Sequence, residues 1–179
     1  MRFLFICIFL LAQFALPAQQ VMFTDKAKIY LVRHGEKEKG DNPLLTPGGN
    51  KRAGDLAHAL TDKGIRRIYI TNYRRTQNTA DSLRIFQKID TVHYIADTTG
   101  DDLVKKIMEH GDLGAAILIV GHSNTIPKII QRLGLPDYPR DYIPDNEFDN
   151  LFLLQYKDGK AFLKKVKYGK PSGESGAMQ

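Results

Sequence analysis

Two histidines and two arginines stand where apolar runs of this chain break off. Arg33-His34-Gly35-Glu36 follows Ile29-Tyr30-Leu31-Val32, Arg75 follows Arg67-Ile68-Tyr69-Ile70-Thr71 after a short turn, and Gly121-His122-Ser123-Asn124 follows the run 115–120. An arginine fork bonds two oxygens at once, so two of them beside two imidazoles suit an anion with several oxygens, of which phosphate is the commonest. A neutral His34 nitrogen is a competent nucleophile towards phosphorus. The neighbouring cations would hold it neutral and stabilise the charge developing on the phosphoryl oxygens. That chemistry needs neither a metal nor another cofactor.

The four side chains meet only if the runs before them are parallel strands whose carboxyl ends share one edge, which is where ligands bind in open α/β sheets. The chain supplies the elements for such a sheet. Strands are expected at 29–32, 67–71, 92–96 and 115–120, the last being the most apolar and therefore the central one. Helices are expected between them. Thr46 as cap and Pro47 at the first position start one that runs to about Asp62 and stops before Gly64, with Ala53, Leu56, Ala57 and Leu60 on its buried face. Others follow from the turn 72–76 to about Phe86, over 101–109, and over 125–133. Residues 134–144, with three prolines, form a loop; 151–156 and 161–168 form a hairpin around Asp158-Gly159. This alternation predicts an α/β protein, a three-layer α/β/α sandwich with a mostly parallel central sheet and an antiparallel C-terminal hairpin at one edge. In it the four basic groups gather with no acidic residue among them.

At 179 residues the chain suits one domain, placed at 21–168. Met1-Arg2, the apolar stretch 3–16 and Pro17-Ala18-Gln19-Gln20 read as a secretory signal peptide over 1–20, too short for a membrane span, so the mature protein is expected to be exported without a stable membrane anchor. Residues 169–179, rich in Gly, Ser and Pro, read as a disordered tail. The single cysteine, Cys7, falls in the signal, which excludes disulfides and thiolate zinc sites from the mature chain. It also excludes a zinc deaminase reading of His34-Gly35-Glu36. The net charge of +6 suits an acidic ligand, but its scattered basic residues carry no nucleic-acid motif. His58, His93 and His110 read as structural, the acidic turn Asp145, Glu147 and Asp149 as solvated, and Tyr138 and Tyr142 as residues that could line a substrate mouth.

Leu31-Val32-Arg33-His34-Gly35-Glu36, Leu45-Thr46-Pro47-Gly48, Arg75 with Asn78-Thr79-Ala80, and Val120-Gly121-His122-Ser123 together resemble the histidine phosphatase superfamily, also called phosphoglycerate-mutase-like. The resemblance implies an α/β/α fold and a metal-independent phosphomonoester hydrolase whose His34 is transiently phosphorylated, acting on a small phosphorylated substrate. Arg33, Arg75 and His122 would form the phosphate pocket, with Ser123 and Asn42 as further substrate contacts. Where the family often reads Arg-Ala-x-Gln-Thr-Ala, this chain has Arg75-Thr76-Gln77-Asn78-Thr79-Ala80, which makes Arg74 a rival to Arg75. The proton donor falls to Asp97, after the third strand, or to Glu36. A phosphomutase of the same family and a non-catalytic phospholigand-binding module are the alternatives.

Overall fold

A computed structural model describes residues 23–172; the expected signal peptide and residues 173–179 of the expected tail lie outside the described residues. Six strands and four helices follow one another: β1 (Lys28–Arg33), α1 (Pro47–Leu60), β2 (Arg67–Ile70), α2 (Arg74–Gln87), β3 (Asp90–His93), α3 (Asp101–Glu109), β4 (Ala116–Gly121), α4 (Thr125–Arg132), β5 (Asn150–Lys157) and β6 (Lys160–Lys167). They form one sheet in the order β3-β2-β4-β1-β5-β6. The first four strands are mutually parallel, and β5 and β6 add the antiparallel hairpin at one edge. Among the described residues no helix is long and apolar enough to cross a membrane.

Alternation along the strands sorts side chains into two cores. Ile29 and Leu31 of β1 pack with α3 and α4 residues such as Leu103, Ile107, Ile126 and Ile130. Tyr30 and Val32 pack with Leu56 and Leu60 of α1 and Ala80 and Leu83 of α2. The sheet is therefore covered on both faces, which is why β1 and β4 are almost wholly buried. Thr46 caps α1 by accepting from Gly49 N at 3.0 Å, beside the proline that opens the helix. Asp158 and Gly159, with φ of 50° and 72°, make the hairpin turn.

One expectation, the extent of the third strand, is corrected. β3 spans residues 90–93 instead of 92–96. Arg67 pairs with Asp90 to start the ladder, and beyond Tyr94 the amide of Ile95 goes to Asp102 Oδ2 at 2.8 Å, which ends it. The tail is anchored at its start: Arg52 Nη1 donates to the Lys170 carbonyl at 3.0 Å, and Ser172 Oγ accepts from Phe148 N and Asp149 N at 2.8 and 3.0 Å.

The connections set the position of the site. α1 leaves β1 towards one face and α4 leaves β4 towards the other, while β1 and β4 lie side by side with Arg33 opposite Gly121. The chain thus diverges between their carboxyl ends, and such a switch point opens a crevice.

Candidate active site

The residues at this switch point form a pocket of about 320 Å³ on whose wall Arg33, His34, Arg75 and His122 meet. β1 delivers the first two. His34 is buried, and its own amide continues the β1–β4 ladder to the Gly121 carbonyl at 3.0 Å. Its ring Nδ1 lies 2.8 Å from the Gly35 carbonyl. A carbonyl only accepts, so Nδ1 carries the proton and Nε2 keeps its lone pair. Gly35 N in turn donates to Thr79 Oγ1 at 2.9 Å, tying the turn after β1 to α2.

The Arg33 guanidinium is held by the loop between α4 and β5. Nη1 donates to the carbonyls of Pro144 and Glu147 at 2.9 and 3.4 Å, Nη2 lies 3.5 Å from Asp145 Oδ1, and the group sits 4.2 Å over the Phe148 ring. Arg75 enters from the first turn of α2 and lies 4.1 Å over the Tyr73 ring. Tyr73 also meets His122 edge-on at 5.1 Å. His122 ends β4; its Nε2 is 3.1 Å from Thr71 Oγ1, its amide donates to Thr125 Oγ1 at 3.0 Å, and its ring stands 5.4 Å from that of His34.

Electrostatics follow from the packing. Burial pushes His34 down to about 3 against the hydrogen bond to Gly35, with His122, Arg33 and Arg75 adding to the fall. Burial, then Arg75 and Arg33, pushes His122 down to about 4. Both rings are therefore neutral at ordinary pH. Arg33 Nε, Arg75 Nε and His122 Nδ1 are buried with no hydrogen-bond partner in the protein.

Of the expected site residues, Arg33, His34, Arg75, His122 and Ser123 line the pocket. Arg74 is exposed and is not part of the lining, so Arg75 is the pocket arginine. Three other expected residues stand outside the pocket lining. Asn42 does not reach the pocket; its Oδ1 accepts the Arg74 amide at 2.9 Å and caps the start of α2. Asp97 accepts from Thr99 N, Thr99 Oγ1 and Gly100 N and organises the turn into α3. Glu36 forms a two-pronged ion pair with buried Arg52, at 2.7 to 3.0 Å. Burial alone would raise Glu36, but the Arg52 hydrogen bonds and charge outweigh it and hold the carboxyl below its ordinary value, committed to Arg52.

The acidic turn is divided: Asp145 is exposed, as expected of a solvated turn, and Asp149 is buried. Asp145 lines the pocket, Glu147 bonds Asn150, and Asp149 is buried against Lys167 and Ser172. Tyr138 packs on Phe152 in the core, and neither it nor exposed Tyr142 lines the pocket. Tyr73, Lys37 and Asp145 were not singled out for the site by sequence. Tyr73 had a readable signal, standing two residues before Arg75 in the turn that delivers it.

Residues 29–96 match the family model described as histidine phosphatase superfamily (branch 1). No curated protein sequence matches the chain. Solved structures of similar fold include SixA from Agrobacterium tumefaciens, 20% identical over 79% of this chain and 97% of that one, with a TM-score of 0.59. The α-ribazole phosphatase from Shigella flexneri is 14% identical over 83% and 100%, with a TM-score of 0.61. A mutant phosphoserine phosphatase from Entamoeba histolytica, in complex with phosphoserine, is 17% identical over 79% and 96%, with a TM-score of 0.57.

Proposed function

Because the chain belongs to the histidine phosphatase superfamily, we propose that it is a metal-independent phosphomonoesterase in which His34 is transiently phosphorylated. One observation carries the reading. Arg33, His34, Arg75 and His122, brought from three separate strand ends, line one pocket. Two guanidiniums and two imidazoles around one space describe the ligand that fits it: a small anion with several oxygens.

With phosphate in that space, His34 Nε2 attacks phosphorus, and the Gly35 carbonyl supports the Nδ1–H as the ring becomes positive. Arg33, Arg75 and His122 offset the charge on the equatorial oxygens without reorganising, because their partners already fix them. Water then displaces the phosphoryl group from Nε2. The relatives named for α-ribazole and holding phosphoserine support a small phosphomonoester as the substrate class. Export, proposed from residues 1–20, would direct the enzyme to phosphomonoesters outside the cytoplasm.

The test is hydrolysis of p-nitrophenyl phosphate in excess chelator, with rapid quenching to trap an acid-labile, base-stable phosphoprotein. Activity is expected to survive chelation, and His34→Ala to abolish both turnover and the trapped species. Retained turnover in that variant would refute the nucleophile. Released phosphate that never gains oxygen from labelled water would convert the reading to a mutase.

A further inference from the structure

One carboxyl group among the described residues lines the phosphate pocket, and it stands in none of the places the sequence pointed to. It is Asp145, on the loop between α4 and β5. We infer that Asp145 is the general acid that protonates the leaving oxygen of the substrate. This rests on the phosphatase reading above and gives the reaction the proton donor that neither Glu36 nor Asp97 supplies.

Direction is the first argument. In phosphoryl transfer the attacking and leaving atoms lie roughly in line through phosphorus. His34 is only 3% exposed and lines the pocket, so an in-line leaving group departs on the side away from it. The Asp145 side chain lines the same pocket and is 96% exposed.

Elimination is the second. His122 is held neutral, so it has no imidazolium proton to give, its Nε2 is taken by Thr71, and Lys37 is exposed. A carboxyl group is the donor that gives up its proton and regains it from water in one cycle.

Position is the third. The loop that carries Asp145 is the one whose Pro144 and Glu147 carbonyls grip Arg33, and Asp145 Oδ1 itself lies 3.5 Å from Arg33 Nη2. Acid and phosphate clamp are therefore held by one segment, so a phosphate seated on Arg33 brings its ester oxygen to the acid. In the free enzyme Arg33 is the partner of Asp145.

The step balances. His34 Nε2 forms a bond to phosphorus as the P–O bond to the alcohol breaks, and the alcohol oxygen takes the proton from Asp145. The resulting carboxylate then removes a proton from water as that water's oxygen attacks phosphorus, and the N–P bond breaks with its electron pair returning to Nε2. Inorganic phosphate leaves, and Asp145 holds its proton again.

The experiment compares an alkyl phosphate such as phosphoserine with p-nitrophenyl phosphate, whose leaving group departs well without a proton, in the wild type, Asp145→Asn and Asp145→Glu. Asp145 is exposed and makes a single side-chain contact, so the variants fold. Asp145→Asn is expected to lower kcat/KM for the alkyl ester by about 10²-fold or more, the usual worth of a general acid. For the nitrophenyl ester kcat/KM, which reports only formation of the phosphoenzyme, should be nearly unaffected, whereas its kcat should fall because water attack still needs the carboxylate, and the Glu variant should recover part of each loss. An equal effect on kcat/KM for both esters would overturn the assignment and leave Asp145 as the electrostatic neighbour of Arg33. No hydrolysis of either ester by the wild type would overturn the phosphatase reading itself.

Discussion

His34 and His122 oppose folding to chemistry. Burial strips both rings of the water that would stabilise their charged forms, with nearby arginines adding to the cost, and holds them down to about 3 and about 4. The unfolded chain takes up those two protons near pH 6.5, the ordinary histidine value, whereas the folded protein does not. Protons therefore favour unfolding: the contribution of these groups is complete above about pH 6.5 and is lost as the pH falls towards 4 and 3, on the order of a few kcal/mol in all. Thermal unfolding followed from pH 7.5 to 4.5 should show a falling Tm. The slope should flatten in the double variant His34→Asn, His122→Asn. Parallel curves would contradict the account. Asp149, where the Lys167 and Ser172 hydrogen bonds overcome burial and bring the carboxyl to about 2, destabilises in the same direction but in a lower window. The pocket's basic residues were legible in sequence because each follows directly from a strand or opens a helix. Asp145 and Phe148 were not, since a loop more than a hundred residues from Arg33 reaches it only through tertiary packing.

α1 carries the clearest test at the level of an element. Its Gly49 lies so close to the turn after β1 that an added Cβ would overlap the Glu36 carbonyl oxygen, and Gly35 faces Gly49 in return at 3.1 Å. Glycine is required there by approach, since neither residue has positive φ. Gly54, one turn and a half further along the same helix, has open space beside it. Alanine at either position raises helix propensity by about 1 kcal/mol. At Gly54 that gain stands alone. At Gly49 overpacking reverses it to a net loss of about 1–3 kcal/mol and shifts Gly35, whose carbonyl sets the His34 tautomer. Urea titration of the two variants with their kcat/KM checks this; equal stability would show that the contact relaxes freely. Helices and strands of this kind were readable from caps and alternation, as the Thr46-Pro47 start shows. β3 was displaced by two residues because the Asp102 contact that ends it is not a pattern in β3 itself.

Over the whole molecule, the described C-terminal end is tied to the site. Arg52, buried beneath it, joins Glu36 of the turn after β1 to the carbonyls of Tyr168 and Lys170. Ser172 holds the amides of Phe148 and Asp149, in the loop that grips Arg33. A chain ending at residue 168 keeps every strand and helix but loses this strap. Its far-UV spectrum should be unchanged, while inorganic phosphate should bind about tenfold more weakly, equivalent to about 1.4 kcal/mol. Unaltered phosphate affinity would show the loop to be self-supporting. The polar, glycine-containing composition that suggested disorder from residue 169 could not reveal this role, which depends on a buried arginine in a distant helix. The strand order was illegible for the same reason: nothing local states that β4 comes between β1 and β2.

That order also governs how the site can fail. The amide of His34 closes the last rung between β1 and β4, two strands buried on both faces and flanked on either side by others. Hydrogen exchange at such a position proceeds through the opening of the whole sheet, because no smaller cooperative unit contains it. The nucleophile thus has no local route out of place, and heat removes activity in the same event that removes the fold.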